Sequence, residues 1–375
     1  MIGAVAAGLH AMTKRILVVG GTGHIGRAVA RDLFAHTDAH LTVTGRDPGR
    51  GEAAAAPFGA RGAFLPLDLT ATPVDALVPL VAQFDLVVQC AGPFRTLPPT
   101  LLAAAICARV NYVDICDDKT ATRHRLGLDD AAKAAGITAL IDTGTFPGID
   151  NVLVAAALAR LPDADTVHLN FVCAGSGDGG FGVLQTTFLA VSRPFEQKVD
   201  GRWVSTPSYR GRTPVDFGPP LGCRAVYDFE VPELWSLPHA FPQLTTCTSK
   251  FGTIPELWNR ATQALAIMPD PWRTDPVFLD GIAARALAPV HFLDRWVGAA
   301  LGIHIDVRAP GGRSLHVDFY APSTGAAVGW ATGIAAAMVL DGTISTPGVL
   351  LPETHIPPGA YCRQLESRGG ILTWS

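Results

Sequence analysis

The sequence predicts an α/β fold, a doubly wound parallel sheet joined to a second, α+β domain. Three observations carry that prediction. A short apolar run at 15–20 leads straight into the glycine-rich segment GGTGHIG. Strand-like and helix-like stretches then alternate as far as residue 144, and after Pro147-Gly148 that rhythm breaks into an irregular mixture. A chain of 375 residues is long enough for two domains.

RILVVG (15–20) is a continuous apolar run closed by glycine, the pattern of a strand covered on both faces. A helix is expected over 25–36, where Ile25, Val29 and Leu33 fall along one side. Further strands are read at 41–45, 63–69, 85–92, 111–115 and 137–144, with helical stretches at 97–109 and 127–136. Strands alternating with helices imply right-handed crossovers and a parallel sheet. Beyond Gly148 a helix is expected at 151–161, with Asp150 or Asn151 near its N-cap. Strands follow at 166–173 and 224–231, separated by the glycine-rich AGSGDGGFG and a polar, proline-spotted stretch at 193–220. A late strand at 314–320, a long helix at 324–341 and a last helix near 359–368 complete the reading. The expected organisation is a loose extension at 1–12, a dinucleotide-binding domain at 13–150 rejoined by about 327–375, and a substrate domain at 151–326. Met12 could serve as an alternative start.

Hydrophobic residues make up 48% of the chain and charged residues 17%, which describes a folded globular protein. A net charge of −4 without a basic cluster argues against a nucleic-acid partner. Seven cysteines without a Cys-x-x-Cys pair suit a reducing compartment, so a cytoplasmic location is expected. The first twelve residues lack the basic start and small-residue cleavage site of a secretory signal. The apolar stretch 324–340 is interrupted by Gly325, Gly329 and Gly333 and reads as a helix packed inside protein, so no membrane partner is expected.

The phosphate-binding reading rests on Gly21, Gly23 and Gly26, spaced G-x-G-x-x-G between a strand and a helix. The first glycine permits a tight turn and the second lets backbone approach a pyrophosphate. The third allows close helix–strand packing, while the helix N-terminus offers N–H donors. Thr22, His24 and Ile25 fill the remaining places of this Rossmann-type loop. At the end of the next strand, where an NAD site usually carries an acid, stands Gly45-Arg46. The Arg46 guanidinium can pair with a 2′-phosphate, so NADP is favoured, with NAD as the alternative. Asp68 could accept from the adenine amino group or simply cap a turn. The small residues Ala91, Gly92 and Pro93 end the fourth strand, where the nicotinamide ribose would pass.

The segments GGTGHIG, TGRD, QCAGPF, NYVD and TFPGIDN occur in an order that resembles the saccharopine dehydrogenase-like oxidoreductases. VPELWSLPHAF (231–241) and the ending GVLLPETHIPPGAYCRQLESRGG also resemble that family, so the likeness covers nearly the whole chain. It implies a Rossmann domain, a second domain that holds substrate and mediates dimerisation, and a C-terminal segment that returns to the first domain. It also implies NAD(P)-dependent hydride transfer, often at the C=N bond between an amine and an oxo acid. The family includes saccharopine-forming and carboxynorspermidine-forming enzymes, with lipid-directed enoyl reductases and members without an assigned reaction as more distant relatives.

Hydride transfer belongs to the cofactor, and the protein must orient the substrate and manage one proton. Polar groups concentrate at the end of the fifth strand: Tyr112, Asp114, Asp117, Asp118 and Lys119. Mutual repulsion could raise the pKa of one of these carboxylates and suit it to acid/base work, and Asp114 is the preferred residue. Asp117 and Lys119 are the other catalytic candidates, and Tyr112 and Arg224 the substrate-binding ones. Gln185, Arg193, His239 and Lys250 are more often surface or structural groups. The N–H groups of 144–151 could face an anion or form a simple domain hinge. Aspartates without suitably spaced histidines seldom make a zinc site, so no metal is expected. No G-x-S-x-G elbow supports a hydrolase. An enoyl reductase of a lipid or polyketide intermediate and a non-catalytic NADP sensor stand as the alternatives.

Overall fold

The computed structural model describes residues 13–175 and 181–375. The expected extension at 1–12 and most of the AGSGDGGFG glycines lie outside the described residues.

The first domain carries β1 (Arg15–Val19), β2 (His40–Gly45), β3 (Gly62–Pro66), β4 (Leu86–Gln89), β5 (Asn111–Asp114) and β6 (Thr138–Leu140). Ile16 to Val19 are at most 1% exposed, as a central strand covered on both faces requires. β1 pairs in parallel with β2 on one side and with β4 on the other, which makes it the point where the strand order reverses. The second domain carries β7 (Thr166–Ala174), β8 (Phe195–Val199), β9 (Arg202–Thr206), β10 (Thr213–Asp216), β11 (Cys223–Asp228), β12 (Thr246–Ile254), β13 (Ala300–Ala309) and β14 (Arg313–Ala321). The chain then returns through β15 (Gly348–Leu350) and ends in β16 (Ile371–Trp374).

Among the described residues the first sheet has the order β15-β6-β5-β4-β1-β2-β3, all parallel. The second sheet is mixed, with the order β10-β11-β12-β7-β13-β14-β16 and β8–β9 attached through β12. The stretch 193–220, expected to be irregular, contains three strands, and β12, β13, β15 and β16 are also additions to the sequence reading. These strands are short or edge strands, or have a register fixed by distant partners, so local alternation is weak.

The helix Thr324–Leu340 is buried on nearly every side. One side rests on the helix His24–His36: a Cβ on Gly329 would stand 3.0 Å from the Ala28 carbonyl carbon, and one on Gly333 only 2.0 Å from Asp32 Oδ2. Asp32 is clasped by Arg368, with Nε and Nη2 donating to its two oxygens at 2.8 and 3.1 Å. The tail therefore returns to the first domain through this helix and β15, as expected, but its last strand pairs with β14 in the second sheet.

The two domains are joined at a waist where the chain crosses repeatedly. Residues 144–148 lead from β6 into the helix Ile149–Arg160, and 322–323 lead from β14 into Thr324–Leu340. After β15 the chain passes into the short helix Pro352–His355, which packs on Ile149–Arg160. Thr332 Oγ1 donates to Thr143 O at 3.0 Å, and Asn151 Nδ2 donates to Glu353 Oε2 at 3.0 Å, tying the crossings together.

Candidate active site

The glycine loop is held tight by its own backbone. Gly23 N donates to Gly20 O at 2.9 Å, and a Cβ on Gly26 would stand 2.2 Å from that oxygen. Gly20 has φ +83, and a Cβ there would stand 2.7 Å from Ala91 N, so the loops after β1 and β4 touch. Gly23 caps the helix His24–His36 without any side-chain hydrogen bond, and the first turn holds no acidic residue. The positive end of the helix dipole and the tight glycine turn suit an anion, so the residues present fit a dinucleotide pyrophosphate.

Gly45 lies under Thr22, whose Oγ1 would be 2.1 Å from a Cβ at that position. Beyond it Arg46 is exposed, while Asp47 caps the helix Pro48–Ala55 by accepting from Arg50 N at 2.8 Å. Asp68 accepts from Thr70 Oγ1 at 2.6 Å and Thr70 N at 3.0 Å, the turn-capping arrangement. These bonds, with a smaller contribution from the charge of Arg46, hold its carboxyl below the usual range.

A crevice of 780 Å³ opens between the domains. Its first-domain wall is made by residues at the carboxyl ends of four strands: Ile25 after β1, Pro93 to Thr96 after β4, Ile115 to Thr120 after β5, and Gly144 to Pro147 after β6. This is the edge at which open parallel sheets bind ligands. The second domain contributes Phe229 to Pro232 beyond β11, Phe251 and Thr253 of β12, and residues of the helices Phe181–Ala190, Glu256–Ala266 and Pro276–Val297. Lys119 Nζ donates to Glu230 Oε1 at 2.7 Å, an ion pair that joins the two walls with both side chains about one-third exposed.

Of the catalytic candidates, Asp117 and Lys119 line the crevice and Asp114 does not. Asp114 is fully buried beneath it: Oδ2 lies 3.0 Å from Arg125 Nε and 2.9 Å from the Tyr112 hydroxyl. Its Oδ1 accepts from Cys116 N and Asp142 N, each at 3.0 Å. All its acceptor capacity is directed at the protein, so it fixes the loops after β5 and β6 and reaches no reacting atom. Tyr112 is corrected in the same way, since its hydroxyl is enclosed between Gln89 Oε1, at 2.7 Å, and Asp114. Arg224 sits exposed on β11, away from the crevice lining. Lys250 is occupied by Asp228 at 2.5 Å, and His239 Nδ1 lies 2.7 Å from Trp235 O, whereas Gln185 and Arg193 do line the crevice.

The start of the helix Ile149–Arg160 is not an anion site. Gly148 N donates to Asn151 Oδ1, Ile149 N to Gly144 O, Asp150 N to Thr145 O and Asn151 N to Asp150 Oδ1, so its donors are spent internally. This is the hinge alternative. Sequence reasoning missed Arg95, Phe146, Phe229 and Glu230 of the lining. It also missed Arg125, whose guanidinium lies 4.9 Å over the ring of Phe94. The two glutamates inside FEVPELW were a signal for a functional acid, but the run does not show that Glu230 faces the crevice and Glu233 the interior.

Behind the hinge lies a buried group of acids. Burial pushes Asp150 up to about 7, and burial and the charge of Asp150 push Glu233 well above the ordinary carboxylate range. Asp142 and Glu353 are raised too, chiefly by burial. Among the described residues no group of three or more His, Cys, Asp or Glu is arranged to hold a metal ion, and no helix is long and apolar enough to cross a membrane.

Residues 16–140 match the family model described as the saccharopine dehydrogenase NADP binding domain. Carboxynorspermidine synthase of Vibrio alginolyticus is 27% identical over 190 residues, 46% of this chain, and the chain spans 45% of that relative's length. Saccharopine dehydrogenase (L-Glu forming) from Saccharomyces cerevisiae has a similar fold, with TM-score 0.69 at 18% identity over 96% of this chain and 99% of that one. A meso-dapdh mutant from Clostridium tetani, solved with DAP, superimposes with TM-score 0.50 at 16% identity over 95% and 99% of the two chains. Fold and crevice together describe a two-domain protein whose first domain is a Rossmann sheet similar to an NADP binding domain. The likeness to the saccharopine dehydrogenases in sequence is carried by residues 16–140, and the likeness in fold extends over nearly the whole chain.

Proposed function

We propose that this chain transfers a hydride between NADP(H) and a polarised double bond held in the interdomain crevice. The first reading is the C=N bond of an amine- or amino-acid-derived substrate. The observation that carries the proposal is the position of Asp117 and the Lys119–Glu230 pair. They lie in a crevice at the same sheet edge as an uncapped glycine loop. NADPH supplies the hydride when bound. Gly21, Thr22, Gly23, His24, Ile25 and Gly26 would hold its pyrophosphate, Arg46 its 2′-phosphate, and Ala91, Gly92 and Pro93 its nicotinamide ribose. When the hydride adds to carbon, the former double-bond nitrogen takes a proton, and Lys119 or Asp117 is placed to supply it. The C=N reading rests on the family resemblance. Reduction of a C=C bond is the second reading, favoured by the aromatic and aliphatic lining of the second-domain wall.

Stopped-flow measurement of NADPH oxidation against paired oxo acids and amines, and against enoyl thioesters, tests both. Turnover is expected with one class, and Lys119→Ala should lower kcat by about 100-fold while leaving NADPH affinity unchanged. Absence of turnover with every pair, together with ligand-dependent capture of a protein partner, would overturn the enzymatic reading in favour of an NADP sensor. Arg46→Ala should weaken NADPH binding about tenfold or more and leave NADH binding alone. Equal NADPH affinity in that variant would remove the 2′-phosphate assignment.

A cytoplasmic homodimer completes the proposal. All seven cysteines are free, and the second domain exposes Leu257, Ile267, Trp272 and Val277, which a second copy would cover. Sedimentation equilibrium of the wild type and of Trp272→Asp checks this part, with dimer and monomer expected respectively.

A further inference from the structure

We infer that the second-domain half of the crevice is a chamber for an aliphatic chain, so that the substrate is an amphipathic molecule whose reducible bond adjoins a polar head. This rests on the proposed hydride transfer and deepens it by naming what surrounds the reacting bond. The two walls differ in chemistry. Charged groups at the strand ends, Asp117 and Lys119 with Glu230 paired opposite Lys119, gather at one side. From the hinge inward, aromatic rings run in contact: Phe146 lies 6.2 Å from Phe251, and Phe251 lies 5.0 Å from Phe229. Leu265 and Met268 extend that surface, and all five residues line the cavity.

Arg193, at an exposed position, is the charged group of this wall beside Glu230, while its neutral polar side chains direct their donors at the protein. Gln185 Nε2 donates to Asp280 Oδ1 at 2.7 Å, and Thr253 Oγ1 donates to Asn259 Oδ1 at 2.8 Å. Thr262 Oγ1 donates to Trp258 O at 3.0 Å, and Ser192 Oγ donates to Leu189 O at 2.7 Å. A compact substrate bearing several carboxylates and amines would lose its hydration against this wall and regain few bonds, which is costly. An aliphatic chain gives up no hydrogen bonds and gains from every methylene removed from water, which outweighs the freedom it loses. Trp258, another lining residue, has its indole N–H enclosed without a partner among the described residues, so an acceptor oxygen on the bound molecule would satisfy it.

The test titrates the full-length, NADPH-loaded protein with straight-chain carboxylates from butanoate to dodecanoate, by isothermal titration calorimetry. Affinity should rise about fourfold per added methylene through the middle of the series, with an increasingly negative heat capacity change. Met268→Asp, at a partly buried lining position, should flatten the series while binding NADPH as the wild type does. A flat series in the wild type, or an equal slope in Met268→Asp, would overturn the inference. The functional proposal fails on different grounds, through loss of NADPH binding or absence of hydride transfer, so the two failures are distinguishable. The wild-type series alone decides the matter should the variant fold poorly.

Discussion

Asp114 and Arg125 form an ion pair with side chains at most 1% exposed, directly beneath the wall that carries Asp117 and Lys119. Removing one member of such a pair leaves a charge stranded in the interior, which costs about 3–5 kcal/mol. Arg125→Leu should therefore lower unfolding stability by that amount in urea, and Asp114→Asn should act chiefly on stability and on loop position. Under the proposed function Asp117→Asn acts in the opposite way, reducing the chemical step in a protein of near wild-type stability. Steady-state kinetics beside urea denaturation separates the two behaviours. The sequence placed DICDDK correctly at the carboxyl end of a strand, because an apolar run and a turn are local signals. It could not show which carboxylate turns inward. Tyr112 and Asp114 share a face through the two-residue strand period, and their cation comes from the following helix, a tertiary contact that no local pattern encodes.

At the scale of elements, the packing of His24–His36 on Thr324–Leu340 sets how the phosphate loop is held. Gly329 and Gly333 interrupt an apolar stretch in the sequence, and in the fold they are the points where the two helices touch. Gly329→Val would drive two methyl groups into the Ala28 backbone. An overpacking penalty of about 1–3 kcal/mol is expected, together with weaker NADPH binding as the loop's helix is displaced. Thermal unfolding and a fluorescence titration with NADPH check both parts. Six strands of the first sheet were legible because they are short runs punctuated by glycine and proline, with β1, β4 and β6 almost wholly buried, whereas β15 joins from the far end of the chain and was missed. The second sheet was legible only in part. β8, β9 and β10 expose many of their side chains, and β13 reads as a continuation of the aliphatic helix that precedes it.

For the molecule as a whole, the waist is both a hinge and a store of protons. Asp150, Glu233, Asp142 and Glu353 hold protons more tightly folded than unfolded. The stability they contribute is complete below the unfolded carboxylate range, near pH 4, and is lost as pH rises through the folded value of Asp150, about 7, and beyond. Thermal midpoints should fall across that interval, and Asp150→Asn should make the profile shallower and raise the midpoint at pH 8. The same waist limits how the two lobes can move. A single covalent link would act as a swivel, free to turn about its own axis. Here the chain passes between the lobes at 144–148, at 322–323 and again after β15, and side chains bind the crossings to one another. Torsion is thereby resisted, and any movement of the lobes is confined to flexing about a line through the waist, as with a book whose facing pages carry Lys119 and Glu230.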